Sequence, residues 1–390
     1  MKNTFVLILI SSVLIFSGCR QTGKTQNESL LEQNMDLAVS HYKNMMQTLP
    51  EGRFPRSYEN DEFTTSNSGW WCSGFYPGTL LYLHETTKDE ALLQEAYRML
   101  ELLEKEQYNT STHDLGFMMF CSFGNANRVA PKPAFNEILV NSAKSLSTRY
   151  SEEVGCIRSW DSDSTDFLVI IDNMMNLDLL FWATAYTGDS TYYDIAVTHA
   201  NTTIANHFRA DNSSYHVLNY DPKSGEVQEK KTAQGLNDES AWARGQSWGL
   251  YGFTATYTAT KDERYLDQAI KIADFILNHP NLPEDFIPVW DYNADSSAPR
   301  DASAAAIMAS GLIDLHAYAP EKGYLVAAKK MIGSLSENYT ANLGTNGNFI
   351  IEHCVGHLPA NSEVNVPLTY ADYYFIEALL KLDGKLTSKE

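Results

Sequence analysis

Three stretches of this chain repeat one outline, a polar turn followed by an amphipathic helix: TTKDEALLQEAYRMLELL from Thr86, YTGDSTYYDIAVTHANTTI from Tyr186 and ATKDERYLDQAIKIADFIL from Ala259. A looser copy, AYAPEKGYLVAAKKMIGSL, begins at Ala317. This recurrence constrains the fold more than any single motif, because a helical hairpin cannot bury its apolar face alone and must stack on its neighbours. Each copy follows a more apolar, Gly- and Ala-rich stretch that reads as a second helix: Gly74 to His84, Asn173 to Tyr186, Ala243 to Tyr257 and Ala302 to Ala317. Leu115 to Phe123 with Phe135 to Tyr150, and Tyr370 to Leu382 closing onto Leu30 to Gln47, bring the pairs to six. A less polar helix alternating with an amphipathic one predicts an inner and an outer ring. The expected fold is all-α, a closed (α/α)6 barrel or six-hairpin toroid, with a two-domain helical array as its rival; runs of strand character are absent. Small residues at Gly245, Gly249, Gly252 and Ala304 to Ala306 let the inner helices approach closely. In such a ring the pocket lies at the mouth where inner helices begin.

A length of 390 residues is compatible with one such ring. Lys2, an apolar run from Phe5 to Phe16 and then Ser17-Gly18-Cys19 read as an export signal with a lipobox-like ending, the run being too short for a permanent anchor. The expected organisation is a signal peptide over 1–19 with lipidated Cys19, a polar tether over 20–29 and a single domain over 30–390. An ordinary cleaved signal is the alternative. The corresponding location is the bacterial periplasm or outer membrane, reached through a lipid anchor. Cys72, Cys121, Cys156 and Cys354 are scattered, without a CxxC pair, and read as buried thiols, with a disulfide left open. A net charge of −20 disfavours nucleic acid and anionic membrane as partners, so an anionic ligand must be captured by a few local cations.

Chemistry is expected where polar residues meet the starts of inner helices. Phe167 to Ile171 is a short, β-branched apolar segment that passes into a strongly apolar helix ending at Gly188, and Asp172 sits at the seam. Asp172 or Asn173 is the expected N-cap, so Asp172 reads either as a structural cap or as an acid facing the pocket. His113 and Asp114 precede another inner helix, which sets Asp114 and Asp172 at one cavity. Paired carboxylates suit acid–base work because burial and mutual repulsion separate their pKa values. In DESAWARGQSWGLYGF, Asp238 or Ser240 is the expected cap, with Trp242, Arg244 and Trp248 in the opening turns. Arg244 and Trp248, four apart, share a face. An Arg among indoles at a helix N-terminus suits a carboxylate-bearing sugar, and equally a helix-bridging Arg over core tryptophans. His216 and Gln234 lie in the preceding loop and can complete such a site. His353 and His357 stand in EHCVGH, which is not the HExxH order of a zinc site, and no metal or cofactor is expected.

Together, HDLGFMMF, IDNMMNLDLLFWA, SAWARGQSWGLYGF, PVWDYNADSSAPRDASAAAI and ADYYFIEALL resemble the unsaturated glucuronyl hydrolases, glycoside hydrolase family 88, over about Tyr42 to Leu382. The resemblance implies an (α/α)6 barrel, in agreement with the repeat count. It also implies hydration of the C4–C5 double bond of the Δ4,5-unsaturated uronic acid that polysaccharide lyases leave at a non-reducing end. By position, the resemblance makes Asp172 the general acid/base and Asp114 the second acid, contacting sugar hydroxyls, with His113 its neighbour. His216, Gln234, Arg244 and Trp248 would surround the uronate ring and its carboxylate, and Trp71 and Trp160 would stack at the pocket wall. Where the family often reads WxDGF, this chain has Trp71-Cys72-Ser73-Gly74-Phe75, with Ser73 in the acidic place. The implied substrates are glycosaminoglycan-type oligosaccharides. An unsaturated rhamnogalacturonyl hydrolase on the same ring is the runner-up, against which HDLGF and WARGQSW speak. From another class comes an inactive carbohydrate-binding lipoprotein, which the retention of both acids disfavours. The loop Gly356 to Pro367 borders the +1 subsite and contains no Lys or Arg, which disfavours sulfate recognition by that loop.

Overall fold

The computed structural model describes residues 26–386; the expected signal peptide over 1–19, with Cys19, and residues 20–25 of the expected tether lie outside the described residues. Helix α1 (Gln26–Thr48) starts inside the stretch expected as tether. A hairpin of β1 (Phe54–Glu59) and β2 (Glu62–Ser66) leads to α2 (Phe75–Thr87) and α3 (Glu90–Leu103). A π-helical segment, Gly116–Gly124, continues into α4 (Asn125–Val129) and is followed by α5 (Pro133–Ser147). Strands β3 (Tyr150–Ser151), β4 (Cys156–Ile157) and β5 (Phe167–Ile170) precede a 3-10 turn, Ile171–Asn176, then α6 (Leu177–Thr187) and α7 (Ser190–Asn206). Next come β6 (Val217–Tyr220), β7 (Val227–Lys231), α8 (Ala243–Thr260), α9 (Glu263–Asn278), α10 (Ala302–Tyr318) and α11 (Tyr324–Asn338). The chain closes on β8 (Cys354–His357), β9 (Ser362–Val366) and α12 (Thr369–Leu382).

The inner helices α2, the π segment with α4, α6, α8, α10 and α12 pack side by side, and α12 returns against α2 to close the ring. This is the expected (α/α)6 barrel. Closure is tied by polar bonds as well as packing: Tyr42 of α1 donates to Asp372 of α12 at 3.1 Å, and the Tyr82 and Tyr373 hydroxyls meet at 3.1 Å. Outer helix α9 buries Tyr265, Leu266, Ala269, Ile272, Ala273 and Ile276, a single stripe, whereas α10 is buried continuously from Ala302 to Leu312.

The repeated turn has a common mechanism. Asp89, Asp189 and Asp262 each cap the outer helix by accepting the N–H two residues on, at 2.9, 2.9 and 3.0 Å. The residue before each Asp is left-handed: Lys88 at φ 59°, Gly188 at φ 74° and Lys261 at φ 57°. These tight corners all lie at one end of the barrel. The long outer-to-inner connections therefore gather at the other end, and every described strand belongs to them. Here the expectation of no strands is corrected: short antiparallel hairpins and one three-stranded sheet, β5-β6-β7, edge this mouth. Such pieces are too short to announce themselves in sequence.

Two cap expectations are also corrected. Helix α6 begins at Leu177 after Asn176, because the 3-10 turn occupies Asp172 and Asn173. Helix α8 begins at Ala243 after Trp242. Asp238 instead accepts the Thr232 N–H at 2.9 Å, and Ser240 donates to the buried Asp291 carboxylate at 2.6 Å. The π segment replaces the α-helix expected over Leu115 to Phe123. Its Gly116 faces Asn176 so closely that a Cβ would stand 2.5 Å from the Asn176 Cα, and the Asn176 side chain accepts the Phe117 N–H at 3.0 Å. None of the four described cysteines is in a disulfide, and all are buried except for half-buried Cys121.

Candidate active site

Sheet β5-β6-β7 positions the central pair. Ile170 pairs with Val217, so Asp172, leaving the end of β5, stands beside His216 at the start of β6. The separation of His216 Nε2 from Asp172 Oδ2 is 3.7 Å. His216 Nδ1 accepts the backbone N–H groups of Ala233 and Gln234 at 3.1 and 3.2 Å. The ring proton must then sit on Nε2, pointing at Asp172. Burial, followed by the Arg244 charge, holds the imidazole well below the ordinary histidine range, so it is a neutral donor.

Asp172 is not spent as a cap: its Oδ2 makes no hydrogen bond in the protein. Burial among apolar groups raises its pKa to about 7, against smaller downward pulls from Arg244 and the Trp248 indole N–H, with Asp114 adding to the rise. Such a carboxyl is protonated in a useful fraction near neutrality while 14% of its side chain remains accessible.

Asp114 lies within electrostatic reach of Asp172, as expected. Its Oδ2 accepts from Thr112 at 3.1 Å, and its Oδ1 lies 3.2 Å from His113 Nε2. His113 Nδ1 donates to the Ser159 carbonyl at 2.8 Å. The approach of the other ring nitrogen to Asp114 is thus attractive when a further proton lies between them.

Arg244 is the cation of the site, with only 3% of its side chain exposed. One arm donates to Asp301 at 3.2 Å and to the Val355 carbonyl; the other donates to Gln234 Oε1 and to the Gly356 carbonyl, both at 2.7 Å. Its guanidinium lies over Trp242 at 4.4 Å and Tyr370 at 5.4 Å. The two sequence readings of this residue, bridge and anion holder, therefore coincide: the same guanidinium ties α8 to β8 and places positive charge beside Asp172. Trp248, fully buried, packs on Phe117 at 5.0 Å. Trp71 packs on Phe117 and Tyr370, at 5.5 and 5.0 Å, and Trp160 meets the His216 ring edge-on at 5.9 Å. Asp114, Asp172, His113, His216, Gln234, Arg244, Trp248, Trp71 and Trp160 thus fall in one contiguous cluster, whereas Asp238, His353 and His357 are satisfied locally. Ser73 donates to the Ser68 carbonyl at 2.8 Å, a structural bond.

Sequence reasoning missed Asp301, Tyr370 and the Val355 and Gly356 carbonyls, which hold Arg244. Asp301 had a signal: it caps α10 through the Ser303 N–H at 3.1 Å, ahead of an Ala-rich run. The histidines of EHCVGH are satisfied locally, His353 Nδ1 by Asn365 at 2.7 Å and His357 by the Ala360 N–H at 3.1 Å. Among the described residues no group of His, Cys, Asp and Glu is arranged to hold a metal.

A cavity of about 340 Å³ opens at the opposite mouth among Trp182, Tyr251, Asp314 and Lys381. It is a weaker candidate. Its lysine is already bonded to Asp314 at 2.6 Å and Ser310 at 2.8 Å, within a buried ion-pair network that α10 and α12 share.

An (α/α)6 ring whose mouth holds a protonatable Asp, a second Asp, a neutral His donor and a buried Arg between indoles defines a carbohydrate-active enzyme, a glycosidase. The profile of Glycosyl Hydrolase Family 88 matches residues 41–385, and the chain belongs to that family. It is 43% identical to an unsaturated glucuronyl hydrolase of Formosa agariphila, over 97% of this chain and 98% of that protein. It is 31% identical to an unsaturated chondroitin disaccharide hydrolase of Streptococcus pneumoniae, over 90% of this chain and 89% of that one. Among solved structures, an unsaturated glucuronyl hydrolase specific for heparin superposes with TM-score 0.88 at 44% identity, covering 93% of this chain and all of that one. The glycosaminoglycan-degrading enzyme of Bacillus sp. GL1 superposes with TM-score 0.86 at 28% identity, over 92% of this chain and 98% of that one. The chain is thus a family 88 glycosidase.

Proposed function

We propose that Asp172 delivers the proton to C4 of the unsaturated uronate and that its carboxylate then takes a proton from the water adding at C5. The observation that carries this is the buried, raised carboxyl, still 14% accessible, whose enclosed Oδ2 makes no hydrogen bond and lies beside His216. Protonation at C4 leaves oxocarbenium character shared by C5 and the ring oxygen. Water adds at C5, and the hemiketal opens and expels the rest of the oligosaccharide. The carboxylate formed at Asp172 faces the Nε2–H of His216 and the Arg244 charge, both of which favour it over the acid. Because cleavage follows from hydration, the carboxylate-spacing rule for ordinary retaining and inverting glycosidases does not apply.

Asp114, with His113 beside it, holds the sugar hydroxyls; Gln234, Arg244 and Trp248 surround the uronate, and Trp71 and Trp160 form the wall. The substrates are disaccharides of glycosaminoglycan type, a reading supported by the chondroitin- and heparin-directed relatives. Export and anchoring through Cys19, placing the enzyme in a bacterial periplasm or on an outer membrane, are supported by the apolar run and the Ser17-Gly18-Cys19 ending. The test of function follows the conjugated-uronate ultraviolet absorbance on lyase-generated disaccharides of hyaluronan, chondroitin and heparin. Absorbance is expected to fall on at least one, and no loss on any would sink the proposal.

A further inference from the structure

We infer that Arg56, set between Glu363 and Trp70, selects an anionic substituent such as a sulfate ester on the sugar next to the unsaturated uronate. The inference rests on the reading of the Asp172 site above and names the substrates that site prefers. A chain of contacts leads there from Arg244. The Gly356 carbonyl that accepts from Arg244 at 2.7 Å belongs to a glycine overlain by Glu363, whose Oε2 stands 2.6 Å from where a Cβ would be. Glu363 Oε1 in turn accepts from Arg56 Nη2 at 2.7 Å, and the Arg56 guanidinium lies 4.3 Å from the Trp70 ring centroid. The next residue, Trp71, turns inward onto Tyr370, which lies under Arg244, so the path closes on itself. Strand β1 thus brings a second arginine to the rim of the pocket, where the loop Gly356 to Pro367 has no cation of its own.

The arrangement does not use Arg56 up. Its Nη2 is engaged by Glu363 and its Nε–H is buried out of a ligand's reach, but 22% of the side chain is open at the guanidinium end of the pair. The open edge of a guanidinium, with donors not all taken by one carboxylate oxygen, suits the oxygens of a sulfate. Trp70, 41% exposed, offers an apolar plate for a sugar ring beside it. Glu363 is held in the left-handed region at φ 55°, as are Asn361 at φ 50° and Asn365 at φ 58°. Non-glycine residues persist there where the surrounding structure holds a side chain in place. Its carboxylate orients Arg56 and opposes a second anion.

The experiment compares kcat/KM of the full chain on two lyase-generated disaccharides that differ by one sulfate on the second sugar. Arg56→Gln is expected to lower the value about tenfold on the sulfated substrate and by less than about threefold on the unsulfated one. Arg56→Lys should keep part of the preference, and Glu363→Gln should raise the sulfated-to-unsulfated ratio. Equal losses on both substrates in Arg56→Gln and Glu363→Gln, with matching falls in melting temperature, would make the pair a structural tie and overturn the inference. A wild-type enzyme that strongly prefers the unsulfated sugar would overturn it as well. Failure on both disaccharides would instead defeat the uronate reading itself.

Discussion

His216 Nε2 stands 3.7 Å from Asp172 Oδ2, and neither atom has a hydrogen-bond partner elsewhere in the protein. The gap exceeds hydrogen-bonding distance, yet the tautomer is locked from behind by two backbone N–H groups. His216 is therefore set to stabilise the carboxylate that forms after proton transfer more than the acid that precedes it. His216→Ala should lower kcat by about 10- to 100-fold with a smaller change in KM. Steady-state kinetics on an active disaccharide check this, and a change confined to KM would reassign His216 to ground-state binding.

Asp172→Asn should reduce turnover by about 100-fold or more while leaving substrate binding measurable. The same variant has a stability signature. The native carboxyl is raised to about 7 by burial, so the native state binds a proton that the unfolded chain has released above about pH 4. Its contribution is fully present below about pH 4, falls progressively as the pH rises from there, and is lost once the pH has passed through 7. Asp172→Asn should therefore come closest to wild type near pH 4 or below and melt higher by a growing margin up to pH 8, by scanning calorimetry. Equal melting temperatures at both pH values would refute the raised carboxyl.

The pH profile of kcat/KM should fall about tenfold per unit above roughly pH 7, because the proton donor is then ionised. Arg244 pulls Asp172 downward, so Arg244→Met should move this limb to higher pH, whereas Arg244→Lys should leave it nearly in place. Both variants lose the fork that bonds Asp301, Gln234, Val355 and Gly356, and both should melt lower. Arg244→Met, which also leaves Asp301 buried without its cation, should lose about 3–5 kcal/mol. A limb unmoved in both variants would remove Arg244 from the control of Asp172.

Gly252→Ala tests how the inner ring carries the acid. A Cβ there would stand 2.5 Å from the Met174 Cβ and 3.0 Å from its carbonyl carbon, pressing on the turn that contains Asp172. Stability should fall by about 1–3 kcal/mol, with kcat reduced more than KM is raised. Denaturant titration and kinetics together read both effects, and a variant of native stability and rate would show that the turn yields freely.

Much of this molecule could be read without coordinates. The six hairpins follow from residue spacing, because the inner or outer character of a helix is written in its own apolar pattern, and the corners at Asp89, Asp189 and Asp262 are built from neighbouring residues. Asp114, Asp172 and Arg244 were found because each stands near the start of an inner helix, and their roles came from the likeness to a known family. Tertiary structure decided what is non-local. The antiparallel pairing of β5 with β6 turns Asp172 from an expected cap into a free acid facing His216. Asp301, 57 residues from Arg244, and two carbonyls more than 100 residues away orient the guanidinium. Burial by the closed ring, which no segment carries alone, raises the Asp172 carboxyl to about 7 and makes it a usable proton donor.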